Sequence, residues 1–243
     1  MSVSNNHFEA NRREALIKGV AGLVSLGAGA ALLGGCASSA PTQTARRTDY
    51  GRRTTAVDRP RYRPTSPTYP STPTGVIPRS AWAKGSPVPA LMDTMLPVSR
   101  ITVHHDGMDT FSSRGEGDAA SRLEKIRQAH RSKNWGDIGY HYLVDPAGRV
   151  WEGRPLAWQG AHVANQNPGN LGICVMGNYE DQYPTDLQLE TVERFVASQM
   201  RQYRVPVGRV FTHQELAATA CPGRNLQPQL VAIRRPGGGL AVA

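Results

Sequence analysis

A histidine and a cysteine stand close together near the end of this chain, in the stretch THQELAATACPG from Thr212 to Gly223. His213 and Cys221 carry the nitrogen and sulfur atoms that zinc prefers, and the Pro-Gly pair behind the cysteine predicts a turn that presents the thiolate. A catalytic zinc site uses three protein ligands and keeps a fourth position for water. The stretch therefore supplies two of the three ligands that a metal hydrolase needs.

The third ligand is expected at the end of a neighbouring strand. The run RITVHHD, from Arg100 to Asp106, is rich in β-branched residues and predicts a strand that closes with His104 and His105. Adjacent residues of a strand point to opposite faces, so one of the two histidines can bind the metal and the other cannot. The pattern alone leaves open which one does so, and it leaves open that these residues only pack.

Further patterns predict the elements that position these side chains. They alternate between apolar runs with helical spacing and runs rich in β-branched and aromatic residues. The predicted elements are a helix over 116–134, a hairpin over 140–154 that turns at 146–148, a buried strand over 171–177, an amphipathic helix over 185–203 capped by Thr185, and a short strand over 209–213. This order predicts an α/β domain with a mixed central β-sheet flanked by helices.

The first 36 residues resemble an export signal. Twin arginines, Arg12 and Arg13, precede a weakly apolar stretch from Gly19 to Gly35, and a Leu-Gly-Gly triplet leads into Cys36. This resembles a twin-arginine signal that ends in a lipobox, which implies that Cys36 is lipidated and anchors the protein to a bacterial membrane. A plain transmembrane anchor is the alternative. Either interpretation places the rest of the chain outside the cytoplasm, facing the periplasm or cell wall.

Residues 37–75 are predicted to be a disordered linker. They are rich in Pro, Ser, Thr and Arg, and seven arginines against Asp49 and Asp58 supply more than half of the formal net charge of +9. A nucleic-acid binder would carry this charge on its folded face, so we expect no nucleic-acid partner. The arginines either contact anionic lipid or wall polymers or keep the linker soluble.

The stretch from Val76 to about Ile233 resembles the peptidoglycan recognition protein and T7 lysozyme type of N-acetylmuramoyl-L-alanine amidase. Five motifs carry the resemblance in the expected order: IPRSAW, VHHDG, WGDIGYHYLVDPAGRVWEGR, GAHVANQNPGNLGICVMGNY and THQELAATACPG. The resemblance implies a zinc amidase domain over 76–243. It also implies that this domain uses Zn²⁺ to hydrolyse the amide between N-acetylmuramic acid and L-alanine of peptidoglycan.

The resemblance also assigns roles to single residues. Matched by motif, the zinc ligands of the family fall on His104, His213 and Cys221, and its catalytic tyrosine falls on Tyr140. Thr219, two residues before the cysteine, matches the threonine of many recognition-protein amidases. Tyr140 and Thr219 are expected to stabilise the charge that develops on the amide oxygen.

Four more residues are candidates for substrate contact. His162 matches a position beside the cleft, where it would touch substrate, support a ligand from behind or bond only within its loop. Asn134 and Trp135 match a pair that, in recognition proteins, correlates with discrimination between diaminopimelate and lysine in the stem peptide. Typical pairs are Gly-Trp and Asn-Phe, and this chain combines one residue of each, which leaves the preference open. Arg154 either meets a peptide carboxylate or braces the hairpin as a surface arginine. Structural roles are expected for His130, His141 and Cys174.

Rival functions remain at this stage. A non-catalytic receptor on the same fold would bind muropeptide without cutting it, and a structural lipoprotein would link membrane to wall. A third possibility keeps the chemistry but takes fragments with 1,6-anhydro sugars in place of the intact sacculus. The expected partners are peptidoglycan and, through the anchor, a membrane, and we expect a monomer.

Overall fold

A six-stranded β-sheet organises residues 75–241, the part of the chain that the computed structural model describes. The strands are β1 (Val76–Ile77), β2 (Arg100–His105), β3 (Tyr142–Val144), β4 (Val150–Glu152), β5 (Asn170–Val175) and β6 (Val210–Thr212), and the helices are α1 (Glu116–Arg131), α2 (Asp186–Tyr203) and α3 (Gln227–Arg234). The predicted signal with Cys36, and the predicted linker except its last residue, lie outside the described residues. No helix between residues 75 and 241 combines the length and the apolar character that crossing a bilayer requires.

The sheet is mixed, as the sequence predicted. Its order is β1-β4-β3-β5-β2-β6, in which β3 and β4 form an antiparallel hairpin and the other neighbours run parallel. The strand β1 and the helix α3 were not predicted, because two residues show no periodicity and the eight residues of α3 are too few to repeat a helical pattern.

The predicted start of α2 is confirmed in detail. The hydroxyl of Thr185 accepts a hydrogen bond from the backbone N–H of Gln188 at 3.1 Å, and the side chain of Gln188 accepts one from the backbone N–H of Thr185 at 3.1 Å. This reciprocal pair satisfies two backbone donors that the first turn of a helix leaves without partners. It fixes the start of the helix that covers one side of the sheet.

The two faces of the sheet are covered to different extents. On one face, the larger core packs side chains of β2 and β5, such as Ile101 and Ile173, against α2 and α3. On the other face, α1 packs over β3, β4 and β5, where it meets Leu143, Trp151 and Cys174. No residue of β2 or β6 belongs to this second core. The apolar contacts of α1 therefore occupy only part of the second face, and the candidate site lies over the remaining part, where β2 carries the buried polar residues Thr102 and His104.

Candidate metal centre

Three side chains from separate segments meet over the part of the sheet that α1 does not cover. His104 is buried near the end of β2, His213 follows β6 directly, and Cys221 lies in the loop beyond. One potential ligand atom of each lies within 4.8 Å of the other two, and His104 Nδ1 is 3.6 Å from the Cys221 sulfur. Within residues 75–241 no other group of histidine, cysteine or acidic side chains meets in this way.

These distances fit a zinc ion. With a Zn–N bond of about 2.0–2.1 Å and a Zn–S bond of about 2.3 Å at a tetrahedral angle, nitrogen and sulfur are roughly 3.5 Å apart. The separation of His104 Nδ1 and Cys221 Sγ, 3.6 Å, already has this value. A set of two imidazole nitrogens and one sulfur also favours zinc over magnesium and calcium, which bind mainly oxygen ligands. The residues present therefore fit the ion that the fold family implies.

The two imidazoles are in the state that binds a metal. Burial lowers the pKa of His104 well below its usual value and also lowers the pKa of His213, so both rings are neutral at neutral pH. Burial raises the pKa of the Cys221 thiol to about 12 in the metal-free chain. A metal displaces this proton on binding, because the thiolate is the form of cysteine that coordinates.

The neighbouring His105 turns away from the three ligand atoms. Its Nδ1 accepts a hydrogen bond from the backbone N–H of Tyr179 at 3.2 Å. Its own backbone N–H points at the Cys221 sulfur, 3.4 Å away. The structure thus separates the two adjacent histidines: the ring of His104 joins the cluster, and His105 supports the sulfur through its main chain.

Tyr140 stands beside the cluster at the start of an aromatic wall. Its ring centroid is 5.2 Å from that of His104 and 5.5 Å from that of His130. His130 in turn packs on Trp135 with ring centroids 4.7 Å apart, and its Nδ1 accepts the backbone N–H of Gly139 at 2.9 Å. Trp135 is half-buried and forms the far end of this wall.

Asn134 and Thr219 occupy exposed turns. Asn134 has a φ of 60°, a left-handed conformation that asparagine adopts more readily than most residues, and it sets the turn after α1 that leads into Trp135. The hydroxyl of Thr219 accepts a hydrogen bond from the backbone N–H of Cys221 at 3.2 Å. This contact leaves the hydroxyl proton of Thr219 free to donate, and it shapes the turn that presents the sulfur.

His162 lies directly behind His104 and has no free ring nitrogen. Its Nδ1 is 3.0 Å from His104 Nε2, and its Nε2 is 3.1 Å from the carbonyl oxygen of Asn170. Only 7% of the residue is exposed. Among the roles considered from sequence, support of a ligand fits these contacts better than substrate binding does.

Arg154 is also placed differently from a substrate contact. The residue is 3% exposed, and its guanidinium donates to the carbonyl oxygens of Ile138 at 2.7 Å, Gln159 at 2.6 Å and Asp137 at 3.1 Å. Three of its five N–H groups are therefore used inside the protein. The bracing role is the one that these contacts support, because Arg154 ties the segment before Tyr140 to the loop after the hairpin.

This brace can be tested by Arg154→Lys. Lysine keeps the charge but cannot donate to three carbonyls arranged around a planar fork, so we expect the free energy of unfolding to fall by about 1.5–3 kcal/mol. Urea denaturation at fixed free zinc measures the change, and Arg114→Lys at an exposed position is the control. If Arg154→Lys leaves the stability unchanged but weakens muropeptide binding, the result would instead support the alternative role, in which Arg154 binds a peptide carboxylate.

Sequence reasoning did not assign a role to the ion pair that fixes the end of β2. Asp106 follows the two histidines directly, and Arg122 of α1 donates to its two carboxylate oxygens at 2.6 Å and 3.2 Å. The backbone N–H groups of Met108 and Gly177 donate to the same carboxylate, each at 3.0 Å. The acidic residue directly after the strand was the available signal, but nothing in the sequence identified its partner.

Comparison with known proteins agrees with this geometry. A sequence profile of the family described as N-acetylmuramoyl-L-alanine amidase matches residues 94–224, more than half of the 243-residue chain. The matched range contains all three members of the cluster as well as Tyr140 and Thr219.

Individual relatives are of two kinds. A peptidoglycan-recognition protein of Drosophila simulans is 30% identical over 156 residues, which are 64% of this chain and 85% of the fly protein. The human N-acetylmuramoyl-L-alanine amidase is 31% identical over 134 residues, 54% of this chain but only 23% of the human protein. The solved structure of peptidoglycan recognition protein-LE in complex with tracheal cytotoxin, a monomeric diaminopimelic acid-type peptidoglycan, is similar with a TM-score of 0.57 at 28% identity, over 64% of this chain and 92% of that one.

Proposed function

The chain belongs to the N-acetylmuramoyl-L-alanine amidase family, and we propose that it is a zinc-dependent enzyme that hydrolyses the amide between N-acetylmuramic acid and L-alanine of peptidoglycan. The observation that carries this proposal is the convergence of His104, His213 and Cys221, whose ligand atoms lie within 4.8 Å of one another. Three protein donors are the number found in catalytic zinc sites, which keep a position for water. A receptor that only binds peptidoglycan has no chemical need for this set.

The proposed zinc ion would be held by these three side chains. When bound, zinc supplies Lewis acidity, which polarises a carbonyl and lowers the pKa of water toward neutrality. The chain itself prepares the site for this chemistry. Burial keeps the rings of His104 and His213 neutral, and the backbone N–H of His105 points at the sulfur of Cys221 and can stabilise its thiolate.

Tyr140 is proposed to stabilise the oxyanion that forms when water adds to the amide carbonyl. The hydroxyl of a tyrosine has an ordinary pKa of about 10, so at neutral pH it serves as a hydrogen-bond donor rather than a base. Its ring packs against His104, which holds the phenol beside the metal ligands. Thr219 carries a second hydroxyl, which accepts the backbone N–H of Cys221, and is proposed to assist.

The substrate is proposed to lie along the wall that Tyr140, His130 and Trp135 form. A similar structure, that of peptidoglycan recognition protein-LE, is a complex with a monomeric diaminopimelic acid-type peptidoglycan. We propose a muropeptide stem as the ligand here as well, with Trp135 offering an apolar surface to it. Asn134 stands next to Trp135 on the exposed side and is proposed as a polar contact for the same stem.

The N-terminal segment adds a proposal about location. Residues 1–36 are proposed to export the protein and to leave it anchored through a lipid on Cys36. The linker of about 39 residues would then span at most roughly 130–140 Å if fully extended, a reach that lets a membrane-anchored domain meet the cell wall. The amidase domain is proposed to work as a monomer at the end of this linker.

Digestion of purified sacculi tests the proposed reaction. The protein, with its zinc content measured, should release free stem peptides that begin with L-alanine, and mass analysis should find glycan strands without peptides. Removal of the metal with a chelator should abolish the release, and added zinc should restore it.

The same experiment separates the rival function. Retention of the protein on sacculi with no peptide released at any zinc concentration would identify a non-catalytic receptor and overturn the proposal. Release of peptides that is insensitive to chelator would overturn the zinc dependence. A parallel digestion of 1,6-anhydro muropeptides shows whether fragments or intact sacculi are the better substrate.

A further inference from the structure

The contact between His104 and His162 is unusual because each ring nitrogen can either donate or accept. Two neutral imidazoles that meet at 3.0 Å share one proton, and the contact alone does not say which ring supplies it. The answer matters for metal binding, because the nitrogen that binds a metal must carry a lone pair and not a proton.

The carbonyl group of Asn170 decides between the two arrangements. Its oxygen can only accept, so the Nε2 of His162, 3.1 Å away, must carry the proton. The Nδ1 of a neutral His162 then has a lone pair and accepts the proton of His104 Nε2. This leaves the lone pair of His104 on Nδ1, the nitrogen that lies 3.6 Å from the Cys221 sulfur.

We infer that His162 is a positioning residue that fixes His104 in the tautomer able to bind the metal through Nδ1. The inference concerns a ligand of the proposed metal site and so rests on the proposed function. In many metal sites a carboxylate or a carbonyl group orients the ligand histidine directly. Here a second histidine stands between the ligand and the carbonyl of Asn170.

The surroundings of His162 are built to hold its ring in place. A Cβ added at Gly172 of β5 would lie 2.6 Å from the ring, and one added at Gly160 would lie 2.4 Å from it. The ring therefore fits between two glycines, where any side chain would displace it. The side chain of Asn167 accepts the backbone N–H groups of His162 and Val163, each at 2.9 Å, and shapes the loop that carries the ring.

A pair of substitutions of similar size separates the two contacts of His162. Asparagine can place an amide group near the position of Nδ1, toward His104, whereas glutamine reaches the position of Nε2, toward Asn170. We expect His162→Gln to weaken zinc binding by about 10–100-fold, the usual effect of losing a group that orients a ligand. His162→Asn should keep most of the affinity. Zinc affinity is measured by competition with a chromophoric chelator.

Gly172→Ala provides a variant that removes no polar group. Its new Cβ must displace the ring of His162, so zinc affinity should fall although every donor and acceptor of the cluster is present. The matched control is His141→Gln. His141 is also buried and its ring packs edge-on against that of His162, with centroids 5.9 Å apart, but its hydrogen bonds go only to the backbone: it accepts the N–H of Gly172 at 3.0 Å and donates to the carbonyl of Trp158 at 3.1 Å. This variant should lose stability but bind zinc more tightly than His162→Gln does.

Nitrogen chemical shifts of the metal-free protein test the inference without any variant. They should show His104 protonated on Nε2 and His162 protonated on Nε2. A proton on His104 Nδ1 would overturn the inference, as would equal zinc affinity in the parent protein, His162→Gln and Gly172→Ala. Failure of the parent protein to bind zinc would instead overturn the proposed function, so the two failures are distinguishable.

Discussion

Replacing Cys221 with serine should abolish the release of stem peptides from peptidoglycan. The serine hydroxyl is a much weaker zinc ligand than a thiolate, and within residues 75–241 the cluster offers two other donors, His104 and His213. Loss of a group that merely orients a ligand already costs about 10–100-fold in metal affinity or activity, so loss of a direct ligand should cost more than about 100-fold. Zinc content after dialysis and peptide release from sacculi are the two measurements.

Cys174→Ala is the matched control for this experiment. Cys174 is the other cysteine within residues 75–241, and it is fully buried in β5 against α1. Its replacement leaves a small void and should lower the melting temperature, but the protein should keep its zinc and its activity. Full activity in Cys221→Ser at matched zinc occupancy would refute the assignment of the sulfur as a ligand.

Replacing Arg122 with methionine should lower the free energy of unfolding by about 3–5 kcal/mol, the range for a buried ion pair that loses one partner. The side chains of Arg122 and Asp106 are 8% and 1% exposed, so the carboxylate would stay buried without its counter-charge. Methionine keeps the apolar stem of arginine, and the loss therefore reports on charge rather than on volume. Urea denaturation at a fixed concentration of free zinc gives the value, because metal binding itself stabilises the folded state.

Two further variants show whether the ion pair is the cause. Lys125→Met lies on the exposed side of the same helix and should change the stability by no more than about 0.5 kcal/mol. The double variant Asp106→Asn with Arg122→Met removes both charges and should recover part of the loss. If Arg122→Met proves as stable as Lys125→Met, the pair does not hold the end of β2 in place.

The sequence was sufficient to predict the large elements and the three side chains that converge. The helices α1 and α2 have long apolar periodicities, and α2 begins with a capping residue, so both their type and their start were predictable. The three members of the cluster stand at the ends of predicted strands or before a predicted turn. Their chemical types and positions, together with the family resemblance, were enough to predict that His104, His213 and Cys221 meet.

The contacts behind the cluster were not predictable in the same way. The role of His162 depends on a carbonyl group eight residues further along the chain, and backbone acceptors leave no trace in residue type. Arg154 was expected either to meet a peptide carboxylate or to brace the hairpin from the surface. Its burial was not predictable, because its three carbonyl partners come from two loops whose paths only the fold sets. One signal was available and overlooked: Gly172 interrupts a buried apolar strand, which marks a close approach by another group.

The spacing of the three ligand candidates along the chain has a consequence for biogenesis. His104 and Cys221 are 117 residues apart, and they meet only after β2 has paired with β6 near the end of the domain. A chain emerging from the ribosome therefore has no complete binding site until nearly all of the domain has been synthesised and its most distant strands have joined. If the proposed zinc ion binds this cluster, its acquisition would report that the native topology is complete, and an incompletely folded chain would be marked by its lack of metal.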